Sequence, residues 1–107
     1  MQILQGTTPS LNIQVDAQSV SLTDVVDLEL AFRQPSQESP TLYGIEDVTL
    51  DTETNSVSFT FTQEMTMKLN PNQKLYWQLR LKLRDGNIVG TNKASIDVTD
   101  LMSEESI

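Results

Sequence analysis

The chain has no cysteine and no histidine among its 107 residues. The first absence excludes disulfides, thiol nucleophiles and thiolate metal sites, and suits a reducing compartment. The second removes the commonest acid–base group and the commonest metal ligand, so no triad of the Ser–His–Asp kind can form from its many serines and threonines. There is no apolar run near the roughly 20 residues that span a bilayer. The first residues carry neither the basic start nor the long apolar stretch of a signal peptide, so an intracellular product is expected. No GxxxxGK[ST] phosphate loop and no GxGxxG stands in the sequence. Basic residues are scarce, seven against fifteen acids, and the net charge of −8 argues against nucleic acid as a partner.

What charge there is lies unevenly. Arg33 is the only base before Lys68, against ten acids from Asp16 to Glu64. From Lys68 onward six bases face five acids, and the bases concentrate on one expected strand. Complementary assembly contacts are the functional reading of this asymmetry; ordinary solvated surface is the plain one.

Alternation with a period of two dominates the rest. Leu11, Ile13 and Val15 share one parity, as do Val26, Leu28, Leu30 and Phe32. So do Val57, Phe59 and Phe61, then Leu75, Trp77, Leu79, Leu81 and Leu83, and finally Ile88, Gly90, Asn92, Ala94, Ile96 and Val98. One wet and one buried face per strand is the pattern of antiparallel sheets packed face to face. Turn chemistry separates the strands: the polar segment 35–40, residues 51–55 closing a hairpin with a five- or six-residue loop, and residues 70–73. One short helical turn is expected over residues 62–69, with Thr62 as N-cap and Met65 and Leu69 on one face. The expected fold is an all-β, immunoglobulin-like antiparallel sandwich of about seven strands over residues 1–102, with a flexible tail at 103–107.

Asp85-Gly86 suits a two-residue type I′ turn, in which both central residues take positive φ. That turn pairs Leu83 with Ile88, Leu81 with Gly90, Leu79 with Asn92, Trp77 with Ala94 and Leu75 with Ile96. Every apolar residue of the first strand then meets the inward parity of the second. The same parity places Trp77 in the core and leaves Asn92 as an inward polar group needing partners.

No catalytic, cofactor-binding or metal site is expected. Glu46-Asp47, Asp24 with Asp27, and Glu104-Glu105 are the only acid clusters, all at loop or outward positions where carboxylates are simply solvated. Asp47, Asp51 and Glu53 could offer oxygen to calcium, but their spacing matches no calcium loop. The candidate surface is an interface: Tyr76, Arg80, Lys82 and Arg84 lie opposite Trp77 on one strand, and Tyr with Arg is an interface-enriched pairing.

Several stretches in order carry a resemblance: Gln5-Gly6-Thr7-Thr8, Leu11-x-Ile13-x-Val15, and Val26-Asp-Leu-Glu-Leu-Ala-Phe-Arg-Gln34. Phe59-Thr-Phe-Thr-Gln-Glu-Met-Thr66, Trp77-Gln-Leu-Arg-Leu-Lys-Leu-Arg-Asp-Gly86 and Ser95-Ile-Asp-Val98 follow. Across residues 2–101 the chain resembles the small immunoglobulin-like structural proteins of tailed phages and prophages of Gram-positive bacteria. It is similar to the N-terminal domain of their baseplate upper proteins. The resemblance implies a non-enzymatic virion component of tail, baseplate or neck, made in the host bacterial cytoplasm, with other virion proteins or itself as partners. In those proteins a helical trimer-forming region follows this domain, whereas this chain ends at Ile107. An adaptor or decoration role is therefore the expectation here. The alternative is a carbohydrate- or cell-surface-binding sandwich, which would need an exposed aromatic platform. With Trp77 in the core, only Tyr43 and Tyr76 could supply one.

Overall fold

A computed structural model describes residues 1–91 and 93–100. The expected sandwich is there, built from more and shorter strands than the periodicity suggests. The strands are β1 (Gln2–Leu4), β2 (Ser10–Gln14), β3 (Val25–Arg33), β4 (Thr41–Gly44) and β5 (Thr49–Asp51). They continue as β6 (Ser56–Thr60), β7 (Leu75–Leu83), β8 (Ile88–Gly90) and β9 (Ala94–Thr99). The larger sheet runs β1-β9-β7-β3-β4, with β8 also on β7, and the smaller runs β2-β6-β5. This split, with β2, β6 and β5 facing β3, β7 and β9, is the strand order of an immunoglobulin-like sandwich. All neighbours are antiparallel except β1 and β9, which run parallel and pair Gln2 with Asp97 and Leu4 with Thr99.

The alternating residues meet where expected. Leu11 and Ile13 of β2 and Val57 and Phe59 of β6 face Leu28, Leu30 and Phe32 of β3 and Leu75, Leu79 and Leu81 of β7; all are buried. Phe32, Phe59 and Phe61 pack with ring centroids 5.0–5.2 Å apart, and Tyr43 adds a ring 4.7 Å from Phe59. Ile3, Ile96 and Val98 close the core on the β1–β9 side. Gly6, at φ 75, occupies the third position of the turn that leads out of β1, closed by the Thr7 amide on the Leu4 carbonyl at 3.3 Å. The helix α1 (Gln63–Met67) stands at the expected place. Its N-cap Thr62 accepts the Met65 amide at 3.2 Å, and Met65 and Leu69 pack on the core.

Four readings need correction. The Asp85-Gly86 turn is not type I′, because only Gly86 has positive φ (91). Leu83 and Gly86 instead close a turn through the Gly86 amide (2.9 Å), and the Leu83 amide meets the Asn87 carbonyl at 2.8 Å. Arg84, Asp85 and Gly86 thus form a three-residue loop with glycine in the left-handed position. The Asp85 carboxylate decides this by accepting the Asn87 amide at 2.9 Å. The pairing shifts by one: Lys82 meets Ile88, Leu81 meets Val89, and Arg80 meets Gly90. Val89 therefore packs inward, while Ile88 is 61% exposed. The expected register returns at Trp77 with Ala94 and Leu75 with Ile96. It returns because the β9 side has one residue more than β7 between the Leu79–Thr91 hydrogen bond and the Trp77–Ala94 pair.

A bulge between Val25 and Asp27 likewise turns Val25 inward and leaves Val26 49% exposed. Trp77 keeps its inward parity but is only half-buried, packed on the flank of the core. The β5–β6 loop has four residues, since Asp51 pairs with Ser56. Asn92 and the expected domain end and tail at 101–107 lie outside the described residues.

Candidate functional site: the outward face of the larger sheet

Alternation along β7 turns Tyr76, Gln78, Arg80 and Lys82 away from the core, and Arg84 follows just beyond the strand. The sheet then ranks neighbours beside them. Arg33, Tyr76 and Ser95 form one row, and Leu42, Ala31 and Gln78 the next. Gly44, Glu29, Arg80 and Gly90 form a third, and Asp27, Lys82 and Ile88 a fourth. The structure thus brings Tyr76, Arg80 and Lys82 onto one face, with Arg84 in the loop at its end, bonded to the Thr23 carbonyl.

Several bases already have partners inside the chain. Arg80 donates from Nη2 to the Glu29 carboxylate at 2.8 Å and from Nε at 3.2 Å. Arg84 holds the Thr23 carbonyl at 3.1 Å. Lys74 lies 3.4 Å from Asp97, and Lys93 sits 4.8 Å above the Tyr76 ring centroid. Lys82, opposite Asp27 in register, makes no ion pair among the described residues. Exposed pairs like these contribute little stability, typically below about 1 kcal/mol. Their effect is to hold side chains extended across the sheet.

The sequence could not show how complete the segregation of charge is. Arg33, Lys74, Arg80, Lys82 and Lys93 are five of the seven bases, with Asp27, Glu29 and Asp97 among them, while Arg84 lies in the loop beyond β7 beside Asp24 and Asp85. Five minus three leaves +2 on a face of a chain whose net charge is −8. Glu46, Asp47, Asp51 and Glu53 stand instead around β4 and β5, at the opposite edge from β1. Glu29 and Lys93 were not singled out from sequence. Only strand register puts them beside Arg80 and Tyr76.

Other chemistry is poorly served. Among the described residues no group of three acids could hold a metal ion. Asp47 accepts the Gly44 amide at 2.9 Å, while Asp51 accepts the amides of Glu53 and Thr54 at 3.0 and 3.2 Å. Those amide bonds hold the Asp51 carboxyl below its usual pKa. Burial first, then the Asp47 charge, raises the Tyr43 phenol above 10.0.

A cleft of ≈ 650 Å³ opens at the end of the sandwich beside α1, over Phe32, Tyr43, Phe61, Met65 and Leu75. Its polar wall is occupied in holding the fold together. Gln34 donates to the Asn70 and Gln73 carbonyls at 2.7 and 3.2 Å and accepts the Asn70 amide at 2.9 Å. Glu64 and Lys68 pair with each other at 3.0 Å. No helix among the described residues is long and apolar enough to cross a membrane. Comparison with known protein families finds no match to the chain, and comparison with curated proteins finds none either.

Proposed function

We propose that this chain is a non-enzymatic structural and assembly protein of a tailed phage or prophage particle, in its tail, baseplate or neck, acting through protein–protein contacts. The sequence resemblance supplies the setting. The observation that carries the mode of action is the basic face: five bases and Tyr76 on one sheet surface of an acidic molecule. Such a face suits the acidic surface of a neighbouring virion protein or of another copy, whose β4–β5 edge carries the opposite charge. A face-to-edge contact between copies is head-to-tail and can close into a ring.

Two measurements test this. Antibody raised against the chain should label particles purified from an induced lysogen, and its absence from intact particles would overturn the virion setting. Light scattering at low and high salt should show association that weakens as the Debye length falls to about 3 Å near 1 M. Lys82→Glu is the variant of choice, because Arg80→Glu would also break the internal pair with Glu29. Carbohydrate or cell-surface binding is the second reading, favoured only by the cleft beside Tyr43. Chemical shifts at Tyr43 and Met65 on adding cell-wall oligosaccharide would support it.

A further inference from the structure

The free edge of β2 is built to accept a strand. Its ladder with β6 is bracketed by the Phe61 amide on the Pro9 carbonyl (2.9 Å) and the Val15 amide on the Asn55 carbonyl (3.0 Å). Antiparallel pairing alternates, so residues 9, 11, 13 and 15 turn their backbone groups toward β6. Ser10, Asn12 and Gln14 therefore turn N–H and C=O the other way, where no strand of the described residues pairs with them.

Among the described residues nothing guards this edge in the usual ways, by charge, proline or a covering side chain. The first 15 residues of the chain carry no charged side chain. The three outward side chains bend over β6 instead of over the edge. Ser10 Oγ lies 2.9 Å from Thr60 Oγ1, Asn12 accepts Ser58 Oγ at 2.6 Å, and Gln14 donates to the Thr54 carbonyl at 2.6 Å. The β5 edge, by contrast, is three residues long and set among Asp47, Asp51 and Glu53.

Beside this edge the sandwich is incomplete. The smaller sheet has three strands against five in the main path of the larger one. Between them, next to Gln14, is an opening of ≈ 260 Å³ lined by Val15, Val20, Leu79, Leu81 and Val89.

We propose that β2 binds an extended segment of a partner protein by strand addition. The segment alternates apolar and uncharged polar residues, carries no acid, and seats one apolar side chain in that opening. The unpaired backbone of Ser10, Asn12 and Gln14 requires an extended chain, and the lining requires an apolar side chain. Asp16 at the mouth and the net charge of −8 disfavour an acidic segment. A second copy's β2 fits poorly. The opening is shared by the end of β2 and by β7, so β2 lies over β7, and β9 and β1 run out beneath its edge. Two copies paired at β2 would drive those strands into each other. This proposal uses a different surface from the basic face and stands whether or not that face binds.

Amide hydrogen exchange with the peptide Lys-Thr-Val-Thr-Leu-Thr-Val-Lys tests it. At saturating peptide the amides of Ser10, Asn12 and Gln14 should exchange about tenfold more slowly, while Leu11 and Ile13, already bonded to β6, should not change. Asn12→Pro should keep the fold, since that N–H faces away from β6, and should abolish the protection. Val89→Lys, which puts a charge in the opening, should weaken peptide binding without touching β2. Unchanged exchange at all three amides in the parent protein overturns the proposal. Equal protection in Asn12→Pro, or protection that grows with protein concentration without peptide, overturns it as well, the last by making a second copy the occupant.

Discussion

Asn55 is one of three buried polar residues among the described residues, and its removal should weaken the fold more than any surface change. It sits at φ 54 in the β5–β6 loop, where asparagine tolerates a left-handed backbone better than other non-glycine residues. Its side chain donates to the Val15 carbonyl at 2.8 Å and the Val20 carbonyl at 3.0 Å, and accepts the Leu22 amide at 2.9 Å. It thus ties the crossover from β2 to β3 onto the opposite hairpin. Asn55→Gly keeps the backbone geometry and strands three partly or fully buried groups. At about 1–3 kcal/mol for each unsatisfied group, less what water recovers, the expected loss is about 3–4 kcal/mol. Asn55→Ala adds about 1 kcal/mol for the left-handed alanine. Urea denaturation followed by Trp77 fluorescence measures both. For a domain of this size the melting temperature should fall by about 12 °C or more. A loss below about 1 kcal/mol in Asn55→Gly would refute the reasoning, by showing that these three groups find water as readily as they find Asn55.

Trp77→Ala should cost about 2 kcal/mol, less than the 3–5 of a fully enclosed ring, because Trp77 is half-buried; a loss of 4 would place it deeper. Gly86→Val should destabilise by about 1–2 kcal/mol through backbone strain alone, since a Cβ there meets nothing within 4 Å, and Gly86→Asn should recover much of that in the same melts. The raised Tyr43 pKa means that the folded chain keeps its phenol proton longer than the unfolded one. Its contribution is complete below pH 10.0 and disappears as pH rises through the folded value, which ultraviolet titration of parent and Tyr43→Phe would follow. Asp51 has the opposite sign: its depressed pKa contributes above the ordinary value of 3.8 and is lost as pH falls through the folded value, so Asp51→Asn should flatten the acid limb of the stability profile.

Most of the sandwich was legible because period-two patterning is a direct consequence of one buried face, and Leu11, Ile13, Leu30, Phe59 and Leu79 all sit where it puts them. The failures at Val26 and Ile88 share a cause. Patterning fixes parity only while pairing is regular, and one extra residue reverses it. At Ile88 the deciding contact was the Asp85 carboxylate on the Asn87 amide, a local side-chain bond that competes with the two-residue turn. The expected interface residues Tyr76, Arg80, Lys82 and Arg84 were assigned to one face from a single strand. Glu29, which meets Arg80, and Lys93, which meets Tyr76, come from elsewhere in the chain and needed the fold. The β2 edge was invisible for a different reason: which side of a strand is left unpaired depends on topology, not on its own residues.

The parallel pairing of β1 with β9 also sets a schedule. Residues 2–4 emerge during synthesis long before the strand they bind, residues 97–99. Closing a loop that spans almost the whole chain contributes to slow folding in topologies rich in distant contacts. Until then Ile3, fully buried in the finished fold, has no β9 to hold it, whereas the β2 strand that follows can already pair with β6. The smaller sheet and the β3–β7 pair can assemble beforehand. The newborn protein therefore passes through a stage in which β1 and its Ile3 are exposed, and the yield of folded chain should depend on how long that stage lasts.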